Sequence, residues 1–274
     1  MAGTDTGIIV FGFIRTSCLS NTLKSLAMQN AHNVHVWLDV PADSNPEHNS
    51  KSIECIQCVK SNFAQFEPNV MSSHTGIEVM TLEGLKFMCE RYKKIIVLED
   101  DCFPVCDAID VFNNDLDQVE VDENIFSVYG HHYLVRAENG GRPIGRFNGW
   151  GWATHSSKLE NILPELERLL FLPDEEYFNF VKDNLDWRIK RRIDVTPKRN
   201  AVRSIKKVKS WDGIMCLITA MQKLTHKRTS KRVIYNCGSN PDSSMHYKNT
   251  LRKPPFNMID EDEVWDYFNR ANLC

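Results

Sequence analysis

The sequence predicts an α/β domain in which a central, mostly parallel mixed sheet is flanked by helices. Two observations carry that expectation. Short continuous apolar runs of strand length, Ile8–Ile14, Val34–Leu38 and Ile95–Leu98, alternate with longer segments whose apolar residues recur at helical spacing. The strand runs are also apolar at odd and even positions alike, as strands covered on both faces require. Strands separated by helices pair in parallel by right-handed crossovers.

The elements follow in order. After the first strand, Leu19, Leu23, Leu26 and Ala27 mark one face of a helix ending near Met28. Val34–Leu38 is a second strand, closed by Asp39 and Pro41 and followed by a polar loop. A helix is expected over Ile53–Phe63 and another over Gly76–Tyr92, which leads through Lys93 and Lys94 into the third strand and the acidic triplet Glu99-Asp100-Asp101. Beyond residue 101, Asn124–Tyr129 reads as a strand. Gly140, Gly141 and Pro143 break the chain, and Leu159–Leu172 and Ile214–Leu224 read as helices.

Length and composition suit one domain spanning residues 1–274, with 42% apolar and 25% charged side chains. Within it, about 1–101 forms one half, about 102–250 a second, and 251–274 a C-terminal extension. The net charge of −3 gives no global attraction to nucleic acid or anionic lipid. No apolar run reaches the ~18 residues of a membrane span, and no basic segment opens a signal peptide, so a cytoplasmic protein is expected. Nine cysteines, mostly inside apolar segments, read as reduced; Cys55-x-x-Cys58 lacks the second pair that a zinc finger needs. The one shift in composition is Arg188–Lys209, with ten cations against the single acid Asp194. It reads as a loop that orders over an anion or meets an anionic acceptor or surface, or as solvated surface.

Ligands of open α/β sheets bind outside the carboxyl ends of the parallel strands, which places Arg15, Asp39 and Glu99–Asp101 on the functional edge. Three adjacent carboxylates repel one another, and a hard divalent cation would offset that repulsion; acidic triplets also cap helices or face water. This order of elements resembles the nucleotide-binding half of GT-A glycosyltransferases, a Rossmann-like fold, particularly N-acetylglucosaminyltransferase I and its bacterial relatives. Phe147-Asn-Gly-Trp-Gly-Trp-Ala153, Ser210-Trp-Asp212 and Asn236–His246 resemble that family's acceptor-side, catalytic-base and His-ended loop segments, so the likeness spans about residues 8–247.

The resemblance implies a metal-dependent, inverting glycosyltransferase. It would take a nucleotide-diphosphate sugar, with UDP favoured, and a hydroxyl of a glycan or glycoconjugate acceptor. Asp101 would hold Mn²⁺ or Mg²⁺, with His246 as a second metal ligand or phosphate contact. Glu99 and Asp100, set on opposite faces by strand alternation, would meet the ribose, the donor sugar or a metal-bound water. Arg15 would meet nucleotide or phosphate, and Asp39 a base N–H. Trp150 and Trp152 would stack on a sugar, or pack in the core. His132, after a predicted strand, would approach the acceptor or belong to a surface or core histidine pair. Asp212 would be the general base, or with Gly213 the cap of the helix that follows. Gly213 stands where that family often has a second acid. Other phosphate-ester enzymes and a non-catalytic anion-binding protein are the competing classes.

Overall fold

A computed structural model describes residues 5–42, 45–105, 107–132, 142–194, 201–239, 252 and 257–270. Its first half runs β1 (Thr6–Gly12), α1 (Thr16–Met28), β2 (Val34–Leu38), α2 (Pro46–Asn62), β3 (Glu67–Val70), α3 (Gly76–Cys89) and β4 (Lys94–Glu99). The second half runs β5 (Cys102–Pro104), α4 (Ala108–Val119), β6 (Ile125–Tyr129), β7 (Trp152–His155), α5 (Ser156–Glu160), α6 (Leu163–Phe171) and α7 (Asp174–Asn184). It continues with α8 (Trp187–Ile193), α9 (Ala201–Ile205), α10 (Trp211–Met221), β8 (Thr225–Arg228), β9 (Ile234–Asn236) and α11 (Val264–Arg270).

Seven strands form one mixed sheet in the order β3-β2-β1-β4-β7-β6-β8. β1 pairs in parallel with β2 and β4, β2 with β3, and β6 with β8; only β7, between β4 and β6, runs antiparallel. The expected α/β architecture is therefore present. Alternation along the strands divides the core. Ile8 and Val10 of β1, with Ile96 and Leu98 of β4, face α1, α2, α4 and α11, while Ile9, Phe11, Ile95 and Val97 face α3, α6, α7 and α10.

Local chemistry sets several element ends. Asn45 caps α2 by accepting the Glu47 N–H, and Pro46 takes the first helical position, where a missing N–H costs nothing. The helix expected over Leu159–Leu172 is instead two, because Pro164 supplies no N–H to continue the first and opens the second. The basic run is also corrected. Its described residues form α8 and α9 rather than a loop, since Asp186 caps α8 at the Arg188 and Ile189 N–H groups and Ile193, Val202 and Ile205 are buried. The Asp194 carboxylate accepts the Val202 N–H at 3.2 Å, tying the two helices together.

A two-stranded ribbon, β5 with β9, crosses the carboxyl edge of the sheet. Ile234 of β9 is fully buried between two glycines: a Cβ on Gly130 would lie 2.4 Å from its side chain, and one on Gly151 2.6 Å. Gly151 also holds φ at +67°, which favours glycine in its own right. No helix among the described residues is long and apolar enough to cross a membrane.

Candidate active site

β1 leads through α1 to β2 on one side, while β4 lies on the other, so the order of strand addition reverses between the parallel β1 and β4 and leaves a crevice at their carboxyl ends. The acidic triplet closes that crevice. Asp100 N–H donates to the Phe11 carbonyl at 2.8 Å, and the Thr22 hydroxyl donates to the Asp100 carbonyl at 2.8 Å. The Arg15 guanidinium, just past β1, donates through Nη1 to Asp101 Oδ2 at 2.7 Å and through Nη2 to Asp100 Oδ1. Two expectations change here. β4 ends at Glu99 and the chain turns, so strand alternation stops and Asp100 and Asp101 reach the same partner. Arg15 faces these acids instead of standing free for phosphate.

Across the crevice lies Gly238, on the chain that leaves β9. A Cβ there would lie 2.7 Å from Asp101 Oδ2 and 3.0 Å from Arg15 Nη1, so only glycine leaves the ion pair its room. The Cys237 N–H donates to the Asp101 carbonyl at 2.8 Å and fixes this approach. Gly238 stands inside Asn236–His246, so its signal was in the sequence, but its neighbours were not.

One guanidinium offsets three carboxylates incompletely. Burial, then the charge of Asp101, pushes the Glu99 carboxyl up to about 8, with Asp100 and Asp212 adding to the effect and Arg15 opposing it. Burial also pushes Asp100 up to about 6, against the pull of Arg15. The sign for stability follows. A carboxyl raised above its ordinary 4.5 stays protonated in the folded chain after the unfolded chain has released its proton. Glu99 thus contributes stability that is complete below about 4.5 and lost as pH rises through about 8. Urea unfolding at stepped pH is expected to show this decline in the natural protein and a shallower one in Glu99→Gln. Parallel curves for the two would contradict it.

Asp212 comes from the other half of the chain. It is exposed in the first turn of α10, where the helix dipole favours a carboxylate. The cap itself is Ser210, whose Oγ accepts the Gly213 N–H at 3.3 Å and donates to Asp212 Oδ1 at 2.6 Å. The reading of Asp212 as the cap is corrected accordingly. Gly149 lies against this turn, with a Cβ position 3.3 Å from the Trp211 ring and 3.7 Å from Asp212 Cβ. Burial, and then the charge of Asp212, pushes the Tyr177 phenol up to about 12, and the same charge adds a minor part to the rise of Glu99. The Trp-Asp and Gly-Trp segments therefore meet beside the acidic triplet.

The remaining candidates divide. Asp39 is buried at the start of α3, where its oxygens accept the Val40, Thr75 and Gly76 N–H groups at 2.9, 3.1 and 2.9 Å, with His74 Nδ1 2.9 Å away. These bonds fill its lone pairs and join β2 to α3, so it is a structural carboxylate and not one awaiting a base N–H. Trp152 is 0% exposed in β7 and packs on Phe126 and Phe147, which corrects its reading as a sugar platform. Trp150 is half-buried, edge-on to His131. His132 lies past β6 with Nε2 3.0 Å from the Thr229 hydroxyl, and burial, aided by Arg228 and Arg232, holds it neutral at about 4. His246 lies outside the described residues.

Among the described residues no three His, Cys, Asp or Glu side chains converge as a metal cage. The donor set nevertheless fits a hard cation that arrives with its ligand: all oxygen, and two negative charges in excess of Arg15 when fully ionised. Mg²⁺ in particular is commonly held by one or two carboxylates plus substrate phosphates. The Cys55 and Cys58 thiols are free and buried on α2, Cys55 beside the Thr16 hydroxyl.

No family model matches the sequence, and no curated protein matches it. Among solved structures, mouse xyloside xylosyltransferase 1 is 10% identical, with 80% of this chain and 83% of that one covered, at a TM-score of 0.44. The 4-diphosphocytidyl-2C-methyl-D-erythritol synthase of Anaerococcus prevotii is 11% identical over 65% and 83%, at 0.39. The mannose-1-phosphate geranyltransferase of Thermus thermophilus is 10% identical over 84% and 75%, at 0.41. Likenesses this distant establish neither family nor activity.

Proposed function

We propose that this chain is a glycosyltransferase that moves a sugar from a nucleotide-diphosphate donor to a hydroxyl of a glycan or glycoconjugate acceptor, with inversion at the anomeric carbon. The observation that supports this reading is the meeting of two parts. An acidic triplet and one arginine lie at the sheet's switch point, and an exposed carboxylate from α10 is close enough to raise the pKa of Glu99. The first suits a diphosphate that comes with its cation. The second suits proton removal from an incoming hydroxyl.

In this reading Asp101 would hold Mn²⁺ or Mg²⁺, which when bound neutralises the diphosphate. Arg15 keeps its charge although burial opposes it, because Asp100 and Asp101 lie against it, and so it holds the triplet in place. Glu99 hydrogen-bonds a ribose or sugar hydroxyl. Asp212 accepts the acceptor's proton, held in orientation by the Ser210 hydroxyl. Trp150 offers the acceptor an apolar ring face. A single displacement needs no covalent sugar on the protein.

Incubation with a panel of nucleotide sugars, UDP-sugars first, with Mn²⁺ is expected to release nucleoside diphosphate. Excess chelator and Asp101→Ala should each abolish that release. Release that persists in chelator would overturn the metal dependence, and silence across the whole panel with varied acceptors would overturn the donor class.

A further inference from the structure

The basic run takes no part in the proposed chemistry, yet its described residues carry eight cations against the single acid Asp194. Arg188, Lys190, Arg191 and Arg192 lie on α8, and Arg203, Lys206, Lys207 and Lys209 lie on α9 and just after it. Some of these cations have work inside the protein. Arg192 donates to the Leu224 carbonyl, and Lys209 bonds the Leu172 carbonyl and Asp174. Among the described residues, Arg188, Lys190, Arg191, Lys206 and Lys207 make no ion pair. The nearby acids are engaged or marginal: Asp186 caps α8, Asp194 accepts the Val202 N–H, and Asp174, with Glu175 and Glu176, opens α7 beside Lys209 at the edge of the patch.

Large apolar side chains stand out beside these cations in the chain. Trp187 is 65% exposed with the Arg188 guanidinium 5.4 Å from its ring centre, and Val208, between Lys207 and Lys209, is 53% exposed. Single exposed apolar side chains are common, and Val121 and Phe171 are others here, but Trp187 and Val208 are the ones next to cations. A ligand that meets both kinds of group offers negative charge and an apolar layer.

We infer that α8 and α9 form a docking surface for an anionic lipid bilayer, with Trp187 and Val208 entering the headgroup boundary and the five unpaired cations meeting lipid phosphates and carboxylates. An indole seated at an interface keeps its ring in the apolar layer and its N–H in the wet one. Cations near an anionic surface add to binding one by one, each worth about five-fold in affinity. A nucleic-acid duplex fits less well, because its phosphates match the cations but offer Val208 nothing. The surface ends three residues before Asp212, so a docked protein turns the start of α10 toward the bilayer.

Co-sedimentation of the intact chain with phosphatidylcholine vesicles, with and without about 30% phosphatidylserine, tests this at low and at physiological salt. Binding is expected to the anionic vesicles only and to weaken with salt. Reversing Arg188, Arg191, Lys206 and Lys207 to Glu should lower affinity more than about 100-fold, and Trp187→Ser about ten-fold, with unchanged thermal unfolding. If the reversed chain unfolds early, Lys206→Gln with Lys207→Gln should still weaken binding by about 25-fold. Quenching of Trp187 by brominated lipid, absent in Trp187→Phe, would place the ring in the boundary. Three results would overturn the inference: equal binding to neutral vesicles, no effect of the charge changes, or duplex DNA bound more tightly than anionic vesicles and indifferent to Trp187. Because none of these readouts uses transfer activity, failure here and failure of the glycosyltransferase reading are separable.

Discussion

Asp212→Asn is expected to lower kcat by about 10² to 10⁴, the usual contribution of an aimed general base. That is roughly 3 to 5 kcal/mol of barrier. A sugar hydroxyl is a poor nucleophile at neutral pH, and asparagine keeps the size and the hydrogen bond to Ser210 but cannot take a proton. Because Ser210 caps α10, the substitution should change the free energy of unfolding by no more than about 0.5 kcal/mol, as surface changes usually do. Donor affinity should also hold, since the triplet and Arg15 are untouched. A variant that turns over normally would remove Asp212 from the mechanism. Proton NMR of the product tests the stereochemistry separately, and a retained configuration would exclude single displacement.

The second large effect concerns folding. Arg15→Met keeps the aliphatic stem and removes the only guanidinium among the described residues that bonds Asp100 and Asp101. Removing one member of a buried ion pair strands its partners, and a loss of about 3 to 5 kcal/mol is expected at pH 8. The loss should shrink toward pH 5, because Asp100 and Glu99, already raised to about 6 and about 8, take up protons and relieve the repulsion. Urea titrations at the two pH values measure both numbers. A deficit equal at pH 5 and pH 8 would mean that Arg15 acts through packing and not through charge.

Much of this architecture was legible because the parallel strands are apolar on both faces. Ile8–Phe11 and Ile95–Leu98 admit few other readings, and the acidic triplet marks where β4 ends. Elements outside that rule were missed for identifiable reasons. β3 carries Pro68 and is mostly exposed at the sheet edge, so its pattern is neither apolar nor alternating. α4 has burial at helical spacing, Ala108, Val111, Phe112, Asp115, Leu116 and Val119, but Asp115 breaks the stripe. Its burial makes sense only once the Ser230 N–H, 115 positions away, is seen to bond it. β7 hides in an aromatic-glycine run that resembles a binding segment, and of its two tryptophans only Trp150 lies outside the strand.

Site residues split along the same line. Glu99–Asp101 could be assigned to the sheet edge from sequence, because strand direction alone decides it. The partnership of Arg15 with Asp100 and Asp101 could not, since it depends on the turn after Glu99. Nor could the division of labour at α10, where a hydroxyl two positions before Asp212 takes the capping role and leaves the carboxylate exposed. Long-range hydrogen bonds of this kind leave no periodic trace.

The seat of Ile234 between Gly130 and Gly151 constrains how this chain can diverge. Three positions far apart in sequence share one small volume, so a methyl gained at 130 is accommodated only where 234 has already become shorter. Position 151 lacks even that route, because its left-handed backbone rejects a side chain whatever its neighbour does. Descendants of this sequence should therefore hold glycine at 151, vary 130 and 234 in opposite directions of size, and pass through a less stable intermediate whenever the order of those two changes is reversed.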